Sequence, residues 1–347
     1  MPLDAALTAT AAIAWMVTST LNTTINCDAK ASKGLQDLGG VSGLSQGEGA
    51  DWWAVTEEQP NLFKLSIESS GKSLNVKMKE KIDIKSDPLN ESLTKLGTIA
   101  FCENQLIVGT EPLPKKALSK DTHQDSRLLA ISTNGEYLYD LSIPDHYKTT
   151  KTTGLAYYRG FQGAACNKDG TELFIGAQLP LKQDQHPQTR ILHYKRSATN
   201  KTFQLKQEYL YPVSKKLGIM GLALINPSTI AVLEFGPDST DRNVIFTSRL
   251  PDRVTEQKSI SPIHLEKQVL VRQLEQTSGL DTDRYEVHFS SLDGAQQSDG
   301  SIQLISMTDD DHCGSVSNAM ASDSPGFAGT TLSLIRIKPI ATQNQGG

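Results

Sequence analysis

One unit recurs along the chain: a glycine-rich apolar stretch, a turn, and a second apolar stretch with an acidic or polar end. Four copies begin at residues 40, 96, 160 and 218, and a weaker fifth joins residues 285–289 to 302–311. In the first four copies, 13 to 15 positions separate an inner glycine from the end residue: Gly43 from Glu57, Gly97 from Glu111, Gly163 from Gln178, and Gly221 from Glu234. Regular repetition of this kind indicates copies of one supersecondary unit packed side by side.

The repeated unit predicts an all-β fold, a single β-propeller. Its short apolar runs are bounded by Gly, Asn, Asp and Ser, which is typical of strands joined by turns. The end residues of successive copies are 54 to 75 positions apart. This spacing is long for a four-stranded blade, so six blades are expected and five to seven are compatible. Residues 250–280 have room for an unrecognised blade, and residues 332–337 are expected to close the ring beside an N-terminal strand.

A doubly wound α/β fold is the main structural alternative, because short buried strands look alike in both settings. It requires crossover helices between the strands. The connecting segments lack a helical period and are rich in turn residues, which argues against it.

The two ends of the chain differ from the rest. Residues 1–33 are expected to be a leader, either a signal peptide or a disordered tail, followed by a propeller over residues 34–340 and a disordered tail over 341–347. The apolar stretch 5–17 is too short to span a bilayer but suits the apolar part of a signal peptide. Asp4 stands where such a leader usually has a positive charge.

Composition excludes several classes of function. The net charge is −5 and the basic residues are scattered, so nucleic-acid binding is not expected. No later segment is long and apolar enough for a stable membrane span. The four cysteines lack zinc-site spacing, and their disulfide pairing stays open between several arrangements: Cys27, Cys102, Cys166 and Cys313.

The acidic strand ends are the first candidate site. Equivalent strand ends of successive blades converge on one mouth of a propeller, where clustered carboxylates would repel each other unless a cation offset their charge. Oxygen ligands suit Ca²⁺, which is therefore the predicted cofactor. The predicted metal ligands are Glu57, Glu58, Glu111, Glu234, Asp309 and Asp310.

Residues around the third repeat form the second candidate site. Arg159 precedes its glycine strand, and Lys182 and Arg190 follow its second strand. Cationic side chains of this kind bind anionic groups such as phosphate. Together with Gln162, they are the predicted substrate contacts. Signatures of a serine-nucleophile elbow, a zinc protease, a phosphate-binding loop or a dinucleotide fold are absent from the sequence.

The same segments resemble the phytase-like family, which is also described as having esterase-like phytase activity. The likeness runs through residues 39–44, 55–58, 108–111, 158–163, 232–236 and 306–310. It implies an exported hydrolase, secreted or periplasmic, that cleaves a phosphate ester or related ester of a small molecule with metal assistance. The chain is expected to be a monomer.

Three departures from the family pattern keep other functions open. Gln162 replaces the family's middle glutamate, residues 96–99 replace an acidic segment, and a late Glu-Gly motif is not recognisable in residues 285–292. A non-catalytic propeller that binds a ligand or protein partner is the main alternative. A metal-dependent propeller lactonase is another.

Overall fold

Strands arranged in five sheets make up most of the chain that the computed structural model describes. The described residues are 15–26, 38, 40–57, 59–70, 73–85, 93, 95–118, 123–184, 187–236, 243–251, 261–272, 288–308 and 329–339. Each sheet is one blade.

The blades follow one another along the chain apart from two strands: β1 (Trp15–Asn26) belongs to the last blade, and β17 (Ile263–His264) pairs with the third. Blade 1 holds β2 (Val41–Gln46), β3 (Asp51–Thr56), β4 (Asn61–Ser70) and β5 (Ser73–Asp83). Blade 2 holds β6 (Leu96–Cys102), β7 (Gln105–Thr110), β8 (Leu128–Ser132) and β9 (Tyr137–Asp140). A short helix, α1 (Lys115–Leu118), follows β7, and a 3-10 turn (Asp145–Tyr147) follows β9.

The remaining three blades repeat this arrangement. Blade 3 holds β10 (Phe161–Cys166), β11 (Glu172–Ala177), β12 (Gln188–Arg196) and β13 (Phe203–Pro212). Blade 4 holds β14 (Gly218–Asn226), β15 (Thr229–Phe235), β16 (Val244–Arg249) and β18 (Gln268–Val271), while β17 (Ile263–His264) pairs in parallel with β13 of blade 3. Blade 5 holds β19 (Asp293–Gln296), β20 (Ile302–Met307), β21 (Gly329–Pro339) and β1.

The first strands of the five blades form a closed inner ring, in which β2, β6, β10, β14 and β19 contact one another in turn. Glycines allow the close approach. A Cβ atom on Gly43 would lie 2.8 Å from the Ile99 backbone nitrogen of the next blade. Gly163 has a φ of +79°, and a Cβ there would lie 2.8 Å from the backbone of Gly221. Larger side chains at these two positions would push the blades apart.

Apolar cores lie between neighbouring blades, five in all among the described residues. Both faces of an inner strand are therefore buried, which explains the continuous apolar runs in the sequence. In blade 1, Trp52 packs toward blade 5 and Trp53 toward blade 2. Full burial of one large apolar side chain stabilises the fold by about 1.5–3 kcal/mol relative to an exposed one.

An N-terminal strand closes the ring, as the sequence predicted. β1 pairs with β21 in antiparallel fashion through eleven residue pairs. Trp15 and Val17 pack against the core between blades 4 and 5, and Leu21 against the core between blades 5 and 1. The propeller thus includes residues that precede the predicted boundary at residue 34.

The structure confirms an all-β propeller, and its described residues form five blades, the lower end of the predicted range, where six were expected. The extra length between repeats lies in long outer strands, such as β4 and β5, and in connecting segments. In the 250–280 region, β17 and β18 extend blades 3 and 4. Among the described residues, no helix is long and apolar enough to cross a membrane.

One disulfide joins two neighbouring inner strands. Cys102 ends β6, Cys166 ends β10, and the two are bonded. Cys27 and Cys313 lie outside the described residues.

Candidate functional site

The inner strands begin at one end of the propeller, here called the mouth. The second strands of the blades end there. In the first three blades, Thr56 pairs with Val41, Thr110 with Leu96, and Ala177 with Phe161. The next residue in each blade is the tip residue: Glu57, Glu111 and Gln178. In each of these blades a β-bulge follows the pair on the inner strand. In blade 4 the pair before the bulge is Ile219 with Glu234, so the next residue, Phe235, is the equivalent tip residue.

Each tip residue contacts the inner-strand region of the next blade. Glu57 Oε2 lies 3.0 Å from Lys95 Nζ, and Glu111 accepts a hydrogen bond from the side chain of Gln162. Gln178 Nε2 lies 3.4 Å from the sulfur of Met220. The rings of Phe235 and His288 are 4.5 Å apart. The four tips therefore change from acidic to amide to aromatic around the ring.

Glu111 is the most unusual group at the mouth. The residue is only 3% exposed, and burial raises the pKa of its carboxyl to about 7. The negative charge of Glu57 adds to that rise, whereas the charges of Lys95 and Arg159 and the bond from Gln162 oppose it. A carboxyl group with a pKa near neutrality can exchange a proton at physiological pH.

Lys95 ties the two acidic tips together. Its ammonium binds Glu57, its backbone N–H donates to the Glu57 carbonyl at 3.0 Å, and its own carbonyl accepts the Glu111 N–H at 2.9 Å. Sequence reasoning missed this residue, because no motif marks a lone lysine before a strand.

Two glutamine side chains at the mouth carry unused acceptors. Gln162 and Gln178 are 1% and 8% exposed, and neither Oε1 atom has a hydrogen-bond partner within the described part of the chain. A buried acceptor left without a donor costs about 1–3 kcal/mol. A donor supplied by water or a ligand would remove this cost.

Glu234 is held in a different environment from Glu57 and Glu111. Its Oε1 lies 2.5 Å from Lys267 Nζ and 2.6 Å from the hydroxyl of Tyr211, which donates to it. The backbone N–H of Ser214 donates to Oε2 at 2.9 Å. Burial lowers the pKa of Lys267, although its bond to Glu234 opposes that shift. Glu234 is fully buried, so it acts as part of a structural ion pair with Lys267, the residue before β18 of the same blade, and Tyr211 of blade 3 bonds to it.

The predicted substrate contacts have different surroundings. Arg159 is exposed at the mouth, and its charge reaches Glu111. Lys182 donates to the Thr150 carbonyl at 2.5 Å. Arg190 binds Asp184 through two bonds of 2.6 Å and Glu208 at 2.9 Å, so its guanidinium is committed to protein carboxylates.

The described members of the predicted calcium site do not fit such a site by themselves. Glu57 and Glu234 are each neutralised by a lysine, and a cation would have to displace it. No group of three or more His, Cys, Asp or Glu side chains able to hold a metal occurs within the described ranges. Glu58, Asp309 and Asp310 lie outside those ranges.

Comparison with solved structures finds remote similarity. The PQQ-bound aldose sugar dehydrogenase of Streptomyces coelicolor has 10% identity and a TM-score of 0.41, over 94% of this chain and 99% of that one. The periplasmic gluconolactonase PpgL of Pseudomonas aeruginosa has 11% identity and a TM-score of 0.36, over 85% and 88%. Likeness at this level supports no conclusion about activity.

Among proteins with curated descriptions, no relative of this sequence was found. A sequence family, by contrast, matches residues 36–312, which is most of the chain and contains Glu57, Glu111, Arg159 and Gln162. The chain belongs to the phytase-like family, described as having the esterase-like activity of phytase.

Proposed function

We propose that the chain is a hydrolase that cleaves a phosphate ester or related ester of a small molecule at the mouth. The observation that carries the proposal is Glu111, a buried carboxyl with a pKa of about 7 beside the cations Lys95 and Arg159. The family's description as esterase-like supports the same class of reaction.

In the proposed reaction, Glu111 acts as a general base. Its carboxylate takes a proton from a water molecule as the water oxygen bonds to the phosphorus or carbonyl carbon of the ester. The bond to the leaving oxygen breaks, and the proton passes from Glu111 to that oxygen. Arg159 and Lys95 would stabilise the negative charge that develops on the ester oxygens.

The glutamines would take part in binding. Gln162 donates to Glu111, and its free Oε1 is an acceptor for a hydroxyl or N–H group of the substrate. Gln178 offers a second acceptor of this type. Substrates that carry hydrogen-bond donors near the ester are therefore favoured over fully apolar ones.

Ca²⁺ is a further part of the proposal, and some of its predicted ligands lie outside the described residues. An ion bound by the ligands that the sequence predicts, of which Glu58, Asp309 and Asp310 lie outside the described residues, would polarise an ester oxygen. The proposed proton transfers and bond changes do not require this ion. Hydrolysis measured with added Ca²⁺ and with EDTA tests this part by itself.

A non-catalytic binding propeller is the second candidate, and one observation favours it. The neutral Gln162 stands where the family has a carboxylate, so Glu111 has an amide partner in place of an acid. A propeller lactonase would use the same mouth on a cyclic ester. A substrate panel separates these alternatives.

Export to an oxidising compartment, the cell exterior or the periplasm, is part of the proposal. The Cys102–Cys166 disulfide supports it, because such bonds persist mainly outside the cytosol. β1 begins at Trp15 and closes the ring, so cleavage of a leader that preserved the fold would have to precede that residue. N-terminal sequencing of exported protein tests this point.

The direct test is hydrolysis of phytate, p-nitrophenyl phosphate, p-nitrophenyl acetate and a sugar lactone by purified protein. The variant E111Q removes the proposed base, and E136Q replaces an exposed glutamate on the same blade as a control. We expect turnover of at least one ester by the wild type and E136Q, and a loss of about 100-fold or more in E111Q. Absence of turnover under every condition would overturn the hydrolase proposal. Turnover unchanged in E111Q would overturn this site.

A further inference from the structure

A tyrosine at the mouth is held in an unusual backbone conformation. Tyr158 has a φ of +59°, which bulky side chains rarely adopt. Hydrogen bonds fix the turn: the Tyr158 N–H donates to the Pro112 carbonyl at 3.0 Å, and the Arg159 N–H donates to the Ala156 carbonyl at 3.1 Å. Backbone strain that the surroundings maintain in this way is a starting point for a functional hypothesis.

The turn is packed directly against the candidate base. Gly160 lies so close to the end of β7 that a Cβ atom there would be 2.7 Å from the Thr110 carbonyl oxygen and 2.8 Å from Glu111 Cα. The segment that carries Tyr158 and Arg159 therefore has a fixed position beside Glu111.

Two neighbouring tyrosines differ in whether other side chains pack on their rings. Tyr157 is 36% exposed, with Lys182 Nζ at 5.1 Å from its ring centre and His123 at 6.1 Å. Tyr158 is 41% exposed, and no aromatic ring or cation of the described residues packs on it. Tyr158 thus presents an open aromatic face next to the cation Arg159.

We propose that Tyr158 is a substrate-binding residue that stacks against a flat ring in the leaving group of the ester. This inference rests on the proposed function and names its substrate class, the esters of aryl alcohols. Arg159 attracts the anionic ester group, and the residue before it then contacts the organic part attached to that group. Offset stacking on tyrosine favours an aromatic ring over an alkyl chain of similar size.

Kinetics on matched esters test the proposal. The substrates are phenyl phosphate and methyl phosphate, and the variants are Y158A, Y158F and, as control, Y157A. We expect Y158A to raise KM for phenyl phosphate about three- to tenfold with little change in kcat, and to leave methyl phosphate unaffected. Y158F and Y157A should retain wild-type KM. Equal effects of Y158A on both esters, or none on either, would overturn the proposal.

A further variant distinguishes the loss of stacking from a folding defect. Glycine adopts positive φ without strain, so Y158G should unfold at the same or a higher temperature than the wild type. It should still show the raised KM for phenyl phosphate. A wild-type KM in Y158G would contradict stacking.

Binding without turnover separates this inference from the proposed function. Calorimetry measures phenylphosphonate and methylphosphonate, which have no ester bond to cleave. If Tyr158 strengthens binding of phenylphosphonate alone while no ester is hydrolysed, stacking stands and the hydrolase proposal fails. If esters are hydrolysed but neither KM nor phosphonate binding depends on Tyr158, the hydrolase proposal stands and stacking fails. No binding and no hydrolysis would overturn both.

Discussion

Lys95 forms an ion pair with Glu57 in which Nζ and Oε2 are 3.0 Å apart, one residue before the inner strand of blade 2. The pair neutralises one acidic tip and leaves the next, Glu111, with a pKa raised to about 7 by burial and by the nearby charge of Glu57. Two acids in equivalent positions of neighbouring blades thus have different surroundings: Glu57 is bound by a lysine, and Glu111 is buried with a raised pKa.

The first prediction concerns stability against pH. Glu111 has a pKa of about 7 when folded and 4.5 ordinarily, so the folded state binds more protons between these values. As far as this group is concerned, the free energy of unfolding should be highest below about pH 4.5, should fall by about 3 kcal/mol between about pH 4.5 and 7, and should level off above 7. Urea unfolding of the wild type and E111Q at several pH values measures the difference.

Lys95 supplies the control for that prediction. Its charge lowers the pKa of Glu111, so K95M should move the window of falling stability to higher pH. K85M removes an exposed lysine that binds Glu136, at the opposite end of blade 2 from Glu111. This variant should not move the window of falling stability. A pH dependence that E111Q leaves unaltered would show that another group causes it.

The second prediction tests the family's missing carboxylate. In Q162E a second acid replaces the amide that donates to Glu111, and the two carboxyl groups should titrate as a coupled pair. The pH at which hydrolysis begins should rise, and activity at neutral pH should fall. Measurement of kcat/KM against pH for Q162E and the wild type checks this. Higher neutral activity with an unshifted profile would mean that the acid is the better residue here.

The third prediction concerns the buried ion pair between Glu234 and Lys267. K267M leaves Glu234 fully buried without its cation, and the free energy of unfolding should fall by about 3–5 kcal/mol. The double variant E234Q/K267M should recover part of that loss, because no buried charge remains unpaired. Chemical denaturation measures both. A loss below about 1 kcal/mol in K267M would show that water reaches Glu234.

The fourth prediction separates stability from activity. Cys102 and Cys166 end β6 and β10, at the opposite ends of these strands from the mouth. Replacing both with serine should lower the free energy of unfolding by about 2–5 kcal/mol. Below the unfolding temperature, kcat/KM should match the wild type. A large loss of activity in the folded variant would mean that the bond also fixes the position of β10 at the mouth.

The inner strands of blades 1 to 4 and the shared register of Glu57 and Glu111 could be predicted from sequence, because glycines and apolar runs mark these strands. The inner strand of blade 5 is Asp293–Gln296, a polar segment that follows the expected residues 285–289 and that no apolar run marks. Glu234 could not be placed by the same count. Gly221 precedes it by 13 residues, against 14 for Gly43 and Glu57. A one-residue difference turns a side chain to the other face of its strand, so Glu234 faces Tyr211 and Lys267 while Phe235 takes the tip.

The lysines that bind the acidic residues could not be predicted from the sequence either. Lys95 and Lys267 are 38 and 33 residues from the glutamates they bind. Their pairing depends on how blades are placed and on the path of connecting segments, which carry no periodic signal. Six blades were favoured over the observed five, which lies within the predicted range of five to seven. Long outer strands lengthen the repeat just as an unrecognised blade between two copies would.

The most direct test of the central claim is the dependence of kcat/KM on pH, from about 5 to 9, for the best ester substrate with the wild type, E111Q and E136Q. A general base must be deprotonated, so the wild type and E136Q should gain activity as pH rises through about 7, the pKa of Glu111. E111Q should be about 100-fold slower and lack that rise. An E111Q variant with the wild-type rate and the same inflection would contradict the claim that Glu111 is the base.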